Sequence, residues 1–414
     1  MDTKNLRQYL KPRGFGKLMS GHPWLLKNYF QKNFEFPVSV GIYPLGEHWF
    51  LYSPQSEICF RRLGPAERFW PDLKTVREPI LNLNDFEKIF YEPLLKHFIR
   101  TFEAKKKLLN NELCFRWLFS ENDFIPGLTA DIFKNTLVVQ LQTAPVEFFW
   151  PQLKKILFDT LSNATKKDAS CFKILEQRHH SVRKKEGLPI IEPESTEKII
   201  VPWNGLKWKF SPASSQKTGA YLDQHDNHLK TLHWAQKMEV KEAWDLCCFE
   251  GGFGLHLAKA GIKVTAVDLS SEALLAAKEN AELNNIPAQN FETVKQDVFY
   301  FLTDKFARAE KTGLIILDPP SFTKRASKVN RALKGYRDLN LRAMHCLKPG
   351  GLLVTCSCSH HIDRESFFYM LQEAAHDARR SVRVLEVCGP SVDHAPVISF
   401  PEASYLQTWF LSIT

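Results

Sequence analysis

Residues 354–361, VTCSCSHH, contain two cysteines separated by one serine and followed by two histidines. Such a group could bind a metal, form a disulfide, supply a nucleophile or end a buried strand. Zinc sites usually combine a C-x2–4-C pair with a second pair, a spacing found neither here nor elsewhere in the chain, so no metal site is expected. Cys356 and Cys358 lie two apart on a predicted strand and share a face, which rarely gives disulfide geometry. Two of the four possible roles therefore remain, a nucleophilic thiol and a purely structural cysteine.

Strands and helices alternate from about Glu242 onwards, and polar residues follow several of the strands. The pattern predicts a parallel, doubly wound sheet, in which the carboxyl ends of the strands form the ligand site. Ser270 or Ser271 is expected to cap the helix over 271–285. The helix that contains residues 335–346 is expected to stop at Pro349-Gly350-Gly351.

A glycine turn follows the first strand of this sheet and contains Gly251 and Gly252. Asp268 ends the second strand, where a carboxylate can accept hydrogen bonds from both ribose hydroxyls of a nucleoside. The turn lacks the G-x-G-x-x-G spacing of dinucleotide sites. S-adenosylmethionine, which has a ribose and an adenine but no pyrophosphate, fits this turn better. Asp297 is placed to meet the adenine amino group, although a purely structural glycine turn remains an alternative.

The fourth strand ends in Asp318-Pro319-Pro320-Ser321-Phe322. Prolines fix this backbone so that a carboxylate and a carbonyl face an amino-bearing ring, on which Phe322 could stack. Cys358 is expected beside Asp318, because the two follow neighbouring strands. Cytosine C5 is a poor nucleophile until a thiolate adds to C6, so a thiol here favours cytosine-5 methylation. The base that removes the C5 proton stays open between Asp318, His360 and a water.

The chain of 414 residues is long enough for two or three domains and has an ordinary globular balance, 44% apolar and 24% charged. No secretory leader or membrane span is evident, and the nine scattered cysteines favour reduced thiols in a cytoplasmic protein. The net charge of +9 is concentrated in residues 1–34 and 166–185. Beside a site that modifies a base, these runs would be expected to contact RNA phosphates, although an ordinary solvated surface remains an alternative.

Composition changes along the chain predict three domains. Residues 1–72 are expected to form a small β-rich domain, with short strands over 49–52 and 58–61, 73–195 a central α+β domain, and 196–414 the α/β domain. Within the central domain, 85–109 is expected to be a helix capped by Asp85, followed by three strands and a second helix over 146–162.

Several motifs together resemble the 23S ribosomal RNA large-subunit methyltransferase I family over nearly the whole chain. They are GHPW (21–24), YSPQSEICFRRL (52–63), RWLFSENDFIPGLTADIF (116–133), ILEQRHHSVRKKEGL (174–188), QKTGAYLDQHDN (216–227), DPPSF, TCSCSHH, DHAPV and PEASYL. The resemblance implies an S-adenosylmethionine-dependent enzyme that makes 5-methylcytosine in ribosomal RNA. It also implies an N-terminal PUA-like RNA-binding domain, a Rossmann-like class I methyltransferase domain at the C-terminus, 23S rRNA or a ribosomal particle as partner, and a homodimer.

The family's functional residues can be carried over to matching positions. The nucleophile falls on Cys358, with Asp318 beside it as a second catalytic residue. Cofactor positions fall on Phe249, Gly251, Gly252, Asp268, Asp297, Asp318, Lys217, Thr218 and Gly219. Positions facing the substrate base fall on Pro319, Phe322 and Asp223. Guanine-N7 methylation, which needs no thiol, and a non-catalytic role in ribosome assembly remain alternatives.

Overall fold

The structure is a computed structural model that describes residues 3–64, 76, 78–110, 112–193, 197–212, 221–323 and 326–414. These residues divide into two compact units. The first takes its residues from Met1–Lys198, Ser211–Ala220 and Val392–Pro401, and the second from Ile199–Phe210, Tyr221–Ser391 and Glu402–Thr414. The expected domain boundaries at 72 and 195 both lie outside the described residues, so the three-domain division stays a prediction.

The N-terminal part of the first unit is a small antiparallel sheet with two short helices. Its elements are α1 (Thr3–Tyr9), α2 (Pro12–Met19), β1 (Trp24–Leu25), β2 (Gly41–Leu45), β3 (His48–Tyr52) and β4 (Phe60–Leu63), with the strands in the order β1-β4-β3-β2. Phe50, Tyr52 and Phe60 are buried in its aromatic core. The strand expected over 49–52 is confirmed, whereas the one expected to start at Ile58 starts at Phe60.

A second sheet completes the first unit. Its elements are α3 (Leu83–Leu108), β5 (Cys114–Phe119), β6 (Leu128–Phe133), β7 (Thr136–Leu141), α4 (Ala144–Phe148), α5 (Trp150–Thr165) and β8 (Lys173–Gln177), with the strands in the order β5-β6-β7-β8. The helix and the three strands expected after it are confirmed, and β8 adds a parallel edge that the sequence did not predict. Apolar residues at helical spacing on α3, among them Phe90 and Phe98, are buried in the core of this sheet.

The expectation that Asp85 caps α3 was wrong, because the capping residue is Asn82. The Asn82 side chain accepts a hydrogen bond from the Asp85 backbone N–H at 2.9 Å and donates one to the Asp85 carboxylate at 2.7 Å. Asp85 therefore lies in the first turn, where its negative charge still interacts favourably with the positive end of the helix dipole.

The second unit is built on a seven-stranded sheet with a separate hairpin, β9 (Ile199–Trp203) and β10 (Leu206–Phe210). Its strands are β11 (Glu242–Leu246), β12 (Lys263–Asp268), β13 (Phe291–Lys295), β14 (Thr312–Leu317), β15 (Leu347–Ser357), β16 (Val382–Cys388) and β17 (Gln407–Ile413). Its helices are α6 (His225–Lys237), α7 (Gly252–Lys259), α8 (Ser271–Leu283), α9 (Val298–Ala307), α10 (Val329–Cys346) and α11 (Arg364–Asp377). The strand order is β13-β12-β11-β14-β15-β17-β16.

Strands β11 to β15 of this sheet are mutually parallel, which confirms the alternating pattern, whereas β17 runs antiparallel to both of its neighbours. From β11 the chain first adds β12 and β13 on one side of the sheet and then crosses to add β14 and β15 on the other side. Open α/β sheets bind ligands at the carboxyl ends of the strands beside such a switch point. Ser270 caps α8 by accepting from the Ala273 N–H, as one of the two expected alternatives.

Two local expectations at β15 were wrong. Helix α10 ends at Cys346, before Pro349-Gly350-Gly351, and these residues instead form an irregular start of β15, where the register with β14 shifts. Strand β15 ends at Ser357, so Cys358 is the first residue beyond it and does not share a strand with Cys356.

No helix within the described part of the chain is both long enough and apolar enough to cross a membrane.

The α3 cap gives a stability prediction. Replacing Asn82 with Ala leaves the Asp85 N–H without its acceptor, which should lower the free energy of unfolding by about 1 kcal/mol. Denaturant unfolding followed by circular dichroism measures this change. Lys88→Ala, at an exposed position of the same helix, should stay within about 0.5 kcal/mol of the wild type. Equal losses from the two variants would contradict the assignment of the cap.

Candidate active site

The parallel register of three strands brings their carboxyl ends into one row. Leu246 of β11 pairs with Leu317 of β14, which pairs with Thr355 of β15. The glycine turn and Asp318 follow directly after Leu246 and Leu317, and Cys358 lies three residues after Thr355. The expectation that Asp318 and Cys358 lie side by side is therefore met by the register of the sheet.

The glycine turn after β11 has a backbone that few side chains tolerate. Gly251 has φ +88°, and Cys247 and Phe249 also have positive φ. A Cβ on Gly252, the first residue of α7, would lie 2.7 Å from the His228 ring. Glycine is therefore required at 252 by packing and favoured at 251 by conformation, and the N–H groups of the first turn of α7 follow directly.

Asp268 holds this turn in place from the end of β12. Its carboxylate accepts from the Phe249 N–H and from the Ser270 N–H, each at 2.9 Å. Both oxygens keep further lone pairs, because an ionised carboxylate offers about four acceptor positions. A carboxylate fixed in this way is ready to accept the two hydroxyls of a ribose.

Asp297 lies after the next strand, β13, and is the N-cap of α9. One carboxylate oxygen accepts from the Phe299 N–H at 2.9 Å and the Tyr300 N–H at 3.3 Å. Its position beyond the carboxyl end of a strand beside β12 agrees with the role expected for it towards adenine. That role stays a prediction, since the capping bonds alone would also explain an acid here.

Asp245 is a carboxylate under the glycine turn that the sequence analysis missed. It is 1% exposed in β11, and one oxygen accepts from the Gly254 N–H at 2.8 Å. Its other oxygen has no hydrogen-bond partner among the described residues. Burial, with smaller contributions from Asp318 and Asp268, raises its pKa to about 7. The available signal was an acid inside the apolar run of β11, where an unpaired charge is costly.

Cys358 faces the Asp-Pro-Pro turn. Its sulfur lies 4.0 Å from the backbone oxygen of Pro319, and its side chain is half-buried. Cys356, by contrast, is fully buried and its sulfur contacts the Thr408 hydroxyl at 3.3 Å. Burial raises the pKa of Cys356 well above its ordinary value. Of the two thiols, Cys358 is therefore the one that solvent or a substrate can reach.

A glutamine outside the predicted set orients Asp318. The Gln224 amide donates to the Asp318 carboxylate at 3.1 Å, and its carbonyl oxygen accepts from the Asn227 amide at 2.6 Å. Because Asn227 donates to it, the Gln224 oxygen cannot point at Asp318, and the amide N–H must. Both residues are buried. The only signal in the sequence was their place within QKTGAYLDQHDN.

The loop after β15 is held by hydroxyl groups. Ser357 donates to the Tyr336 hydroxyl at 3.2 Å, and the Ser321 and Ser359 hydroxyls lie 2.8 Å apart. Burial raises the pKa of Tyr336 to about 12, so this phenol stays protonated near neutral pH. Phe322 packs on Tyr336 with ring centroids 4.5 Å apart, and its predicted stacking on a base stays a prediction.

Asp223 lies in a short turn, Leu222–Gln224, and is buried. Its carboxylate accepts from the Tyr405 hydroxyl at 2.6 Å. The Tyr405 ring packs on His360, whose Nδ1 lies 3.1 Å from the Glu402 carbonyl oxygen. The structure thus joins Asp223 to the PEASYL segment. Lys217, Thr218 and Gly219 lie outside the described residues.

Comparisons with known proteins agree on one family. A model of S-adenosylmethionine-dependent methyltransferases matches residues 121–398. Ribosomal RNA large subunit methyltransferase I of Aeromonas salmonicida is 31% identical over 403 residues, which span 94% of this chain and 95% of the relative. The protein of the same name from Photobacterium profundum is 32% identical over 399 residues, or 93% and 94% of the two chains.

The chain belongs to the ribosomal RNA large subunit methyltransferase I family. It is therefore an S-adenosylmethionine-dependent methyltransferase. A Streptococcus mutans structure named as a SAM-dependent methyltransferase has the same fold, with a TM-score of 0.73 at 17% identity over 97% of this chain and 98% of that one. A second methyltransferase structure, in complex with SAH, has a TM-score of 0.72 at 17% identity over the same shares of the two chains.

The site of this methyltransferase fits S-adenosylmethionine. Asp268 offers fixed acceptors to a ribose, and the glycine turn leads directly into the N-terminus of α7. The unpartnered oxygen of Asp245 is a buried acceptor that a bound amino group would satisfy. Within the described ranges, no group of three or more His, Cys, Asp or Glu side chains could hold a metal ion.

Removing the Asp268 carboxylate should weaken cofactor binding. Asp268→Ala loses two charge-assisted acceptors, each worth roughly 1.5–3 kcal/mol, so the Kd for S-adenosylmethionine should rise at least about tenfold. Isothermal titration calorimetry on the purified chain measures this. Glu292→Ala, which removes an exposed carboxylate on β13, is the matched control. An unchanged Kd in Asp268→Ala would exclude the ribose role.

Asp245 should make stability depend on pH. Its pKa is about 7 when folded and 3.8 ordinarily, so between these values the folded chain binds a proton that the unfolded chain has lost. The contribution of Asp245 to the free energy of unfolding is therefore fully present at low pH and is lost as the pH rises from about 4 to about 7. Asp245→Asn, which can still accept from Gly254, carries no such proton. The thermal unfolding midpoint of Asp245→Asn minus that of the wild type should therefore increase from pH 4 to 7 and then level off. A difference that does not depend on pH would refute the raised pKa of Asp245.

Proposed function

We propose that this methyltransferase transfers a methyl group to carbon 5 of a cytosine in large-subunit ribosomal RNA, through a covalent bond between Cys358 and carbon 6. The relatives named above support RNA as the substrate. The position of Cys358 carries the cytosine assignment. It is a reachable thiol beside Asp318 and Pro319, just past the end of β15.

The chemistry explains why a thiol is needed at this place. The Cys358 thiolate adds to C6 of the cytosine, which breaks the C5–C6 double bond and makes C5 electron-rich. Bound S-adenosylmethionine supplies the methyl group as an electrophile. After C5 is methylated it loses its proton to a base, the double bond re-forms, and the thiolate leaves C6. Each of these steps is easier than direct attack by an unactivated C5.

Asp318 and Pro319 would hold the cytosine during this cycle. The carboxylate and the Pro319 carbonyl are acceptors, and the cytosine amino group is a donor. Gln224 fixes the carboxylate at 3.1 Å, so little reorganisation is needed when the base binds. Enzymes that modify a base usually take it out of its stack into a pocket of this kind.

The N-terminal part of the first unit is proposed to contact RNA phosphates as a PUA-like domain. Arg7, Lys11 and Arg13 are exposed on or beside its first two helices, and exposed basic side chains bind a polyanion in a salt-dependent way. A cytoplasmic location and a homodimer stay predictions from the sequence.

A trapping experiment tests the proposed chemistry. Large-subunit rRNA is transcribed with 5-fluorocytidine and incubated with the protein and S-adenosylmethionine. Fluorine at C5 cannot leave as a proton does, so the adduct persists. A protein–RNA complex that resists denaturant and maps to Cys358 by mass spectrometry is expected. If native RNA is methylated and no adduct forms, the target is a guanine N7 or an amine, and Cys358 is structural.

Variants of single cysteines give a separate prediction. Cys358→Ala should lower kcat by at least about a thousandfold, roughly 4 kcal/mol, because no other thiol reaches the base. Its Kd for S-adenosylmethionine should stay within about threefold, since the thiol acts only on the substrate. Radiolabelled methyl transfer and calorimetry measure the two quantities. Cys346→Ala, at a buried thiol in α10 that contacts the Leu302 carbonyl, is the control expected to keep its turnover.

A further inference from the structure

The first compact unit contains a cavity that no part of the proposed chemistry uses. Its volume is about 220 Å³, and its wall combines apolar surface from Pro23, Phe124 and Val397 with the charged side chains of Arg62 and Glu121. Small-molecule sites usually occupy roughly 300–1,000 Å³ and pair an apolar wall with a few polar groups. This cavity has that mixed lining in a smaller volume, on the scale of a single base.

Four segments far apart in the chain meet at this cavity. The GHPW loop is joined to β4 by the Arg62 N–H, which donates to the Pro23 carbonyl at 2.7 Å. The segment that contains Val397, which belongs to the first unit although residues of the second flank it, is fixed by a 3.0 Å bond from the Val397 N–H to the Asn122 side chain. The walls are therefore held by hydrogen bonds and do not depend on apolar contact alone.

The two charged groups are oriented by their neighbours. The Arg62 guanidinium lies 3.1 Å from Nδ1 of His48. Burial, together with the charge on Arg62, lowers the pKa of His48 to about 4, so this imidazole is neutral and accepts the hydrogen bond. Glu121 accepts from the Trp24 indole N–H at 2.7 Å and from the Ser120 hydroxyl. Both of its oxygens retain lone pairs for a ligand.

Backbone conformations at the rim keep the cavity open. Gly21 has φ +76°, and a Cβ there would lie 3.5 Å from a guanidinium nitrogen of Arg62 and 3.6 Å from the Ser399 Cβ. Any larger side chain at 21 would therefore enter the space beside Arg62. Phe124, which lines the cavity from another segment of the chain, has φ +61°.

We propose that this cavity binds one unpaired nucleotide of the substrate RNA, with its base against Pro23, Phe124 and Val397 and its polar edge at Arg62 and Glu121. The proposal rests on the proposed function for RNA as the substrate. Unpaired RNA bases are recognised by stacking on apolar or aromatic side chains and by hydrogen bonds to their edges. An arginine donates to a carbonyl oxygen and a carboxylate accepts from N–H groups, so guanine, uracil and cytosine suit the cavity and adenine, which has no carbonyl, suits it least.

Nucleotide titration tests the cavity without any methyl transfer. GMP, UMP, CMP and AMP are titrated into the full chain and followed by NMR or calorimetry. GMP, UMP or CMP should bind with a Kd near 1 mM, about −4 kcal/mol, and AMP at least about threefold more weakly. Arg62→Gln and Ser399→Phe, which remove the charge and fill the space, should each weaken binding at least about fivefold. Lys96→Gln, at an exposed base in α3, should not. Equal binding by the wild type and both cavity variants overturns the proposal, as does the absence of binding of all four nucleotides.

Steady-state methylation of large-subunit rRNA separates failure of the cavity from failure of the function. Arg62→Gln and Ser399→Phe should raise the KM for RNA at least about fivefold and leave kcat and the Kd for S-adenosylmethionine unchanged. Unchanged cofactor affinity, together with an unchanged circular dichroism spectrum, shows that the variants are folded. If the wild type methylates no RNA, the proposed function fails, and the nucleotide titration alone decides the cavity. If it methylates RNA and both variants match it, the cavity has no role in binding.

Discussion

The pairing of β11, β14 and β15 in one parallel register is the constraint on which the site depends. Residues that follow Leu246, Leu317 and Thr355 emerge at the same edge of the sheet because parallel neighbours end on the same side. A slip of one residue in β15 would turn its side chains to the opposite face and would move the thiol of Cys358 away from Pro319. Both faces of the strands are buried, as Ile315 and Ile316 on opposite faces of β14 show, and this makes such a slip costly.

Local patterns in the sequence were enough to predict the elements that carry the site. The alternating strands and helices after Glu242, and the cap of α8 at Ser270, follow from periodicity and capping preference alone. The position of Asp268 at the end of a strand and of Asp318 at the end of another followed from the same pattern. The proposed ribosomal RNA substrate, in contrast, depended on the resemblance of whole motifs to a known family, whereas the proposed nucleophile was also favoured by the expected place of Cys358 beside Asp318.

Features that depend on contacts between distant residues could not be predicted in the same way. Asn82 and Asp85 both prefer helix starts, and only the reciprocal hydrogen bonds show which one is the cap. Pro349-Gly350-Gly351 is a strong stop signal, but Leu347 and Leu352 on either side of it both pair with β14, so it lies within an irregular part of β15. Gln224 looks like any polar residue until the fold brings it to Asp318, and the antiparallel strand β17 has no local signature that sets its direction.

The end of β15 gives a physical reason why one cysteine is structural and the other is suited to chemistry. Cys356 is still within the ladder, paired with Thr408 of β17, and the alternation of a paired strand directs its side chain into a covered face. Pairing ends with Ser357 and Gln407, so the next residue is released from that alternation and can lie over the edge of the sheet. A nucleophile must be fixed in place and yet reachable. The first position after the last paired residue meets both conditions, because Ser357 and Ser359 anchor the backbone around it while the Cys358 thiol faces Pro319.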